Sequence, residues 1–130
     1  MGGYVIFDYI GAVAIILLGV VLWVLRRERK VDRKACLTVR SGSRAGVRLR
    51  LQKARTLVGA QEDNDLVLTD DRISRHHLQV TYEHGVFIAA DLNSLYGTFV
   101  GETRIEKWEL ASGMILNLGK VVELEFSIVD

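Results

Sequence analysis

From Tyr9 to Leu25 no position carries a charge, and from Ala35 onward the chain changes to short segments in which apolar and polar side chains alternate. The first pattern is apolar on all sides, whereas a helix packed on a globular core keeps a polar face. It predicts a helix of about 26 Å, close to a hydrocarbon core of roughly 30 Å. Val5, Ile6 and Phe7 lengthen it if Asp8 sits at the headgroups, and Tyr4, Tyr9 and Trp23 suit interfacial belts. Arg26, Arg27, Arg29, Lys30, Arg33 and Lys34 follow the apolar run and no basic residue precedes it. That asymmetry argues against a cleaved signal peptide. By the positive-inside rule it predicts a single-pass transmembrane helix in the cell membrane over residues 1–25, with 5–25 in contact with lipid. The N-terminus is expected outside and the remainder in the cytoplasm.

The alternating part predicts an all-β domain over residues 35–130. Ala35 to Arg40 and Val47 to Leu51 alternate, with the turn-rich Ser41 to Gly46 between them, and so predict a hairpin. Further strands are expected at Arg55 to Val58, Leu66 to Leu68, His77 to Tyr82, Val86 to Ala90, Ile115 to Leu118 and Val121 to Ile128. Many short strands punctuated by glycine, asparagine and aspartate indicate a sandwich or barrel. Trp108 and Phe126 are expected in its core. Residues 26–34 read as a basic juxtamembrane linker or as a continuation of the helix, since Arg, Glu and Lys are good helix formers.

Charge sharpens this division. The 130 residues carry 17 basic and 16 acidic side chains, a net of +1. Six of the basic residues crowd between Arg26 and Lys34, and from Ala35 on the balance is slightly acidic. A folded part without basic excess disfavours nucleic acid as a partner, and the basic junction suits anionic headgroups. The single cysteine, Cys36, excludes an intrachain disulfide. His76, His77 and His84 lack companions at metal-ligand spacing, so no metal and no cofactor is expected.

Four features recur in a fixed order: Val58-Gly59; the acidic loop Asp63-Asn64-Asp65 before Leu66-Val67-Leu68; Ile73-Ser74-Arg75-His76-His77; and Asp91-Leu92-Asn93-Ser94-Leu95-Tyr96-Gly97-Thr98. Together they resemble the forkhead-associated (FHA) domain, with its Gly-Arg, Ser-x-x-His and Asp-x-x-Ser-x-Asn-Gly-Thr pattern. The likeness extends through Arg104-Ile105, Leu110, Gly113 and Leu118-Gly119. It implies a β-sandwich of about eleven strands, whose loops at one end bind phosphothreonine peptides. A phosphothreonine brings a charge of about −1.5 to −2 and three strong acceptors, so its receptor needs a cation and converging donors. The resemblance assigns ligand contact to Ser74, Arg75, Ser94, Leu95 and Tyr96, and support of the loops to Gly59, His77, Gly97 and Thr98.

The chain departs from that pattern at three places. Ala60 stands where the family has a phosphate-gripping Arg, Tyr96 where it has an Asn, and Gly101 where a second Asn is common. A hydrogen bond to a charged group contributes about 1.5–3 kcal/mol, so losing the Arg weakens binding by about ten- to a hundredfold. Arg44, Arg72 and Arg75 are the cations that could compensate. Ser74, His77 and Asp91 also suggest a hydrolase triad, but Ser74 and His77 share one loop and no Gly-x-Ser-x-Gly elbow exists. The expected function is therefore a membrane-anchored, non-enzymatic adaptor that binds a protein or phosphothreonine peptide in a Ser/Thr-kinase or envelope-associated complex. The alternative is a degenerate scaffold that holds its partners independently of phosphate. The third reading is a domain that serves mainly as an oligomerisation module, with the anchor supplying local concentration.

Overall fold

A computed structural model describes the backbone of residues 2–27 and 31–129, and the side chains of 9–25 and 31–129. The expectations for Tyr4, Val5 to Asp8, and Arg26, Arg27, Arg29 and Lys30 fall outside the described side chains. The chain divides into two compact units, Met1–Lys30 and Val31–Asp130.

The first unit is a helix, α1, over Gly2–Arg27. Its described side chains are apolar and exposed on every side, Ile15 at 73% and Trp23 at 58% among them. Over the described residues no helix is long and apolar enough to cross a membrane. The expected transmembrane span therefore lacks support among the described residues.

The second unit contains eleven described strands: β1 (Ala35–Val39), β2 (Arg48–Arg50), β3 (Arg55–Gly59), β4 (Leu66–Val67), β5 (Leu78–Glu83), β6 (Val86–Asp91), β7 (Thr98–Val100), β8 (Thr103–Arg104), β9 (Lys107–Leu110), β10 (Ile115–Leu118) and β11 (Val122–Ile128). They form two sheets, ordered β2-β1-β11-β10-β7-β8 and β4-β3-β5-β6-β9. The expected β1–β2 hairpin is present, with Leu37 opposite Leu49. Strands β7, β8 and β9 were not expected from the sequence, since none of them alternates clearly between buried and exposed positions.

Alternation decides which side of each strand is buried. Leu78, Val80 and Tyr82 of β5 and Val122, Leu124 and Phe126 of β11 point inward, and their neighbours are more exposed. Phe87 links the two sheets, its ring centroid 4.8 Å from that of Tyr82 and 5.2 Å from that of Phe126. Each such aromatic contributes about 1.5–3 kcal/mol by burial. Cys36 is buried as well. Trp108 corrects an expectation: it lies on the sheet's edge strand, paired on one side only, and remains 38% exposed.

The unit begins before Ala35. Val31 packs against the core, Tyr82 donates its hydroxyl proton to Asp32, and Arg33 donates to the Gly85 carbonyl at 3.1 Å. Those contacts draw residues 31–34 into the domain. The β3–β4, β4–β5 and β6–β7 connections converge at one end of the sandwich, joined by hydrogen bonds from Ala60 to Ser74 and from Leu95 to Ser74.

Candidate functional site

Two loops meet because β3 stops at a glycine. A Cβ on Gly59 would lie 2.2 Å from the Arg75 carbonyl oxygen, so only glycine permits the approach. The Ala60 N–H then donates to the Ser74 carbonyl at 3.0 Å and the Gln61 N–H to the Arg75 carbonyl at 3.2 Å. Asn64, buried in the acidic loop, donates through Nδ2 to both Gln61 O at 2.6 Å and Arg75 O at 2.7 Å. Outside this seam, His76 Nε2 lies 2.9 Å from Asp63 Oδ2.

His77 joins the third loop to this pair. It is fully buried, and the Ser74 N–H donates to its Nδ1 at 3.1 Å. Its Nε2, 3.0 Å from the Gly97 carbonyl, must then carry the proton. The two partners fix a neutral imidazole with its proton on Nε2. Burial lowers its pKa below the usual 6.5, outweighing the upward pull of the Gly97 carbonyl and of Asp91.

The β6–β7 loop is tied from inside. Asp91 accepts the Ser94 N–H at 3.0 Å, the Ser94 hydroxyl at 2.6 Å and the Thr98 hydroxyl at 2.8 Å. Ser94 Oγ in turn accepts the Gly97 N–H at 3.0 Å. Gly97 adopts a φ of 87°, a conformation natural to glycine. Ser94 was expected to touch ligand, but it is buried and its hydroxyl both donates and accepts within the loop. It therefore belongs with Gly59, His77, Gly97 and Thr98 as a support.

What remains on the rim is Ser74, Arg75, Leu95 and Tyr96. Ser74 Oγ accepts the Leu95 N–H at 3.1 Å, which leaves its own O–H proton for a ligand acceptor. Arg75 is exposed and its guanidinium has no hydrogen bond or ion pair among the described residues. Leu95 and Tyr96 are 76% and 49% exposed. The Arg72 guanidinium lies over the Tyr96 ring, 5.5 Å from its centroid, and Arg44 donates to the Val67 carbonyl at 3.1 Å. Of the three candidate replacements for the absent Arg, Arg75 is the one left unengaged.

Sequence reasoning singled out the acidic loop without seeing Asn64 as the clasp between loops, and it named Asp91 without its role as acceptor for three donors. An Asp at the start of a loop is a known acceptor for the backbone N–H groups that follow it, a signal that could have given the second. Arg104, noted in the sequence only as part of the likeness, donates to the Ser94 carbonyl at 3.2 Å. Among the described residues no cluster able to hold a metal ion occurs.

Compared with known proteins, residues 56–119 match the FHA domain. A solved FHA domain, studied for phosphothreonine-dependent interactions, is 30% identical with a TM-score of 0.68, over 75% of this chain and 98% of its own. The chain belongs to the FHA-domain family. The FhaA FHA domain, solved in complex with the intracellular domain of another protein, is 32% identical with a TM-score of 0.64, covering 71% of this chain and 98% of its own. Glycogen accumulation regulator GarA of Mycolicibacterium smegmatis is 36% identical over 86 residues, 66% of this chain and 54% of that protein. The chain thus spans about half the length of that curated relative. FHA domains bind phosphothreonine peptides and proteins and are not enzymes.

Proposed function

We propose that this FHA domain docks a phosphothreonine-bearing partner protein through Ser74, Arg75, Leu95 and Tyr96, as an adaptor in a Ser/Thr-kinase-dependent assembly. The observation that carries the reading is the Ser74 hydroxyl, which is anchored by the Leu95 N–H and keeps its own proton for a phosphate oxygen. Arg75 in the same loop supplies charge. Saturable binding of a phosphothreonine peptide library, with amide shifts around Ser74 and Leu95 and loss of both in Ser74→Ala, is expected. Equal affinity for phosphorylated and bare peptides would end the phosphate reading.

Ala60 and Tyr96 favour a second reading, a scaffold that grips its partner without phosphate through the exposed Leu95 and Tyr96. Partners captured from a lysate that survive phosphatase treatment, yet are lost in Leu95→Asp, would select it.

The adaptor is further proposed to work at the membrane, held by the apolar segment with its N-terminus outside and the FHA domain in the cytoplasm. Supporting this is the exposed apolar surface of α1 from Tyr9 to Leu25, which water covers poorly. The helix bounds of Gly2–Arg27 also leave room for a longer span than the described side chains. Recovery of the full chain from the soluble fraction without detergent would refute anchoring.

A further inference from the structure

The two sheets end on four strands, and three are poor templates for another chain. β4 (Leu66–Val67) and β8 (Thr103–Arg104) have two residues each. Self-pairing of β2 about Leu49 would set Arg48 against Arg50 of the second copy, a like-charge contact. The fourth edge, β9, reads Lys107-Trp108-Glu109-Leu110. An antiparallel copy centred on Trp108 would set Lys107 opposite Glu109, twice.

The backbone is phased for the same pairing. The Asp91 N–H donates to the Glu106 carbonyl at 2.9 Å, and β6 pairs Ala90 with Lys107, Ala89 with Trp108 and Ile88 with Glu109. Hydrogen-bonded and non-bonded pairs alternate along an antiparallel ladder. Trp108 therefore directs its N–H and C=O toward β6, whereas Lys107 and Glu109 direct theirs to the open edge. These are the residues that would exchange bonds with Glu109 and Lys107 of the second copy. The two Trp108 side chains would then face each other across a non-bonded pair, where side chains approach most closely. Trp108 has the exposure to accept such a partner, at 38%.

We infer that the β9 edge is a self-complementary docking strand through which two copies of this chain join sheet to sheet, Lys107 to Glu109 and Trp108 to Trp108. The joined pair presents two sets of recognition loops, so a partner with two sites is held by avidity.

Energy transfer between two differently labelled populations of the full chain in detergent tests this. Wild-type copies are expected to pair at submillimolar concentration. Lys107→Glu or Glu109→Lys alone turns both ion pairs into repulsions and should weaken pairing on the order of tenfold. Mixing the two variants restores opposite charges at both positions and should restore pairing. Both side chains are exposed, so neither change threatens the fold. A monomeric wild type, pairing indifferent to both single changes as α1-driven association would give, or a mixture that fails to recover, would each overturn the proposal.

Discussion

Replacing His77 with Ala tests the frame of the binding loops. The imidazole is fully buried and receives the Ser74 N–H at 3.1 Å while donating to Gly97 O. The two losses are unequal, because the Gly97 carbonyl also accepts the Gly119 N–H at 2.8 Å and keeps that partner. The Ser74 N–H becomes the orphan, at about 1–3 kcal/mol. The vacated ring volume adds a large-to-small term of roughly 2–3 kcal/mol. A loss of about 4 kcal/mol is expected by urea unfolding, a large part of an ordinary domain's 5–15 kcal/mol. His77→Phe refills the space without restoring either hydrogen bond, so it should recover only about half. A cost under about 1 kcal/mol in the alanine variant, or full recovery by Phe, would refute the reasoning.

The same residue sets a pH dependence whose sign follows from its surroundings. Burial, the largest influence, holds the folded pKa below 6.5, against the opposing effects of the Gly97 carbonyl and Asp91. As pH falls, the unfolded chain takes up its proton first. The contribution to stability is whole above about pH 6.5 and declines as pH falls below it toward the depressed folded value. His77→Phe should flatten this slope in unfolding measured across the window; equal slopes in both proteins would contradict it.

Three further outcomes follow from the geometry. Gly59→Ala sets a methyl 2.2 Å from Arg75 O, which should cost about 3 kcal/mol of stability in urea unfolding and abolish amide shifts in the Ser74 loop on adding peptide. Ala60→Arg together with Tyr96→Asn restores the family's residues and should tighten phosphothreonine peptide binding by about ten- to a hundredfold in calorimetry; unchanged affinity would mean the loops do not present a phosphate pocket. Asp65 accepts Lys53 Nζ at 2.6 Å and the Leu57 N–H at 2.8 Å. Burial raises its pKa, but the Lys53 and Leu57 hydrogen bonds and the Lys53 charge prevail and lower it. Its contribution is therefore full above about pH 4 and lost in more acid solution, and Asp65→Asn should cost about 1 kcal/mol at neutral pH.

The sequence revealed most where side chains face two different environments. Alternation in β5, β6 and β11 marked their buried sides, and turn residues marked the β1–β2 hairpin. It revealed less where pairing is decided at a distance. The parallel pairing of β3 with β4 joins residues across the acidic loop and leaves no local alternation to read, and β7 to β9 hold their places through neighbouring strands rather than through any pattern of their own. In the site, glycines and His77 were readable because each answers a local backbone demand. Ser94 misled because an exposed and a buried serine look alike in a loop; only the triple acceptance by Asp91 turns its hydroxyl inward.

The supports and the rim of the site have different chemistry, and the backbone suggests why both persist. The supports leave the loops already ordered, so a ligand does not have to meet the entropy of arranging them. Against that economy stands strain: Arg72 adopts a φ of 72°, which costs about 1 kcal/mol for a residue with a Cβ. At Arg72 the strained turn lays the guanidinium over Tyr96 and sets its carbonyl where a side chain at position 119 would be 2.7 Å away. Gly119 relieves that clash. An observed outlier of this kind, next to a recognition loop, points toward function. Tyr96 offers a broad surface with only two rotatable side-chain bonds to immobilise, and stacking on Arg72 holds it before any partner arrives. Where the family grips through a phosphate-binding Arg and a backbone-holding Asn, this chain presents a pre-set aromatic plane with Ser74 and Arg75 beside it. Its affinity should therefore depend on the residues flanking a phosphothreonine more than on the phosphate itself.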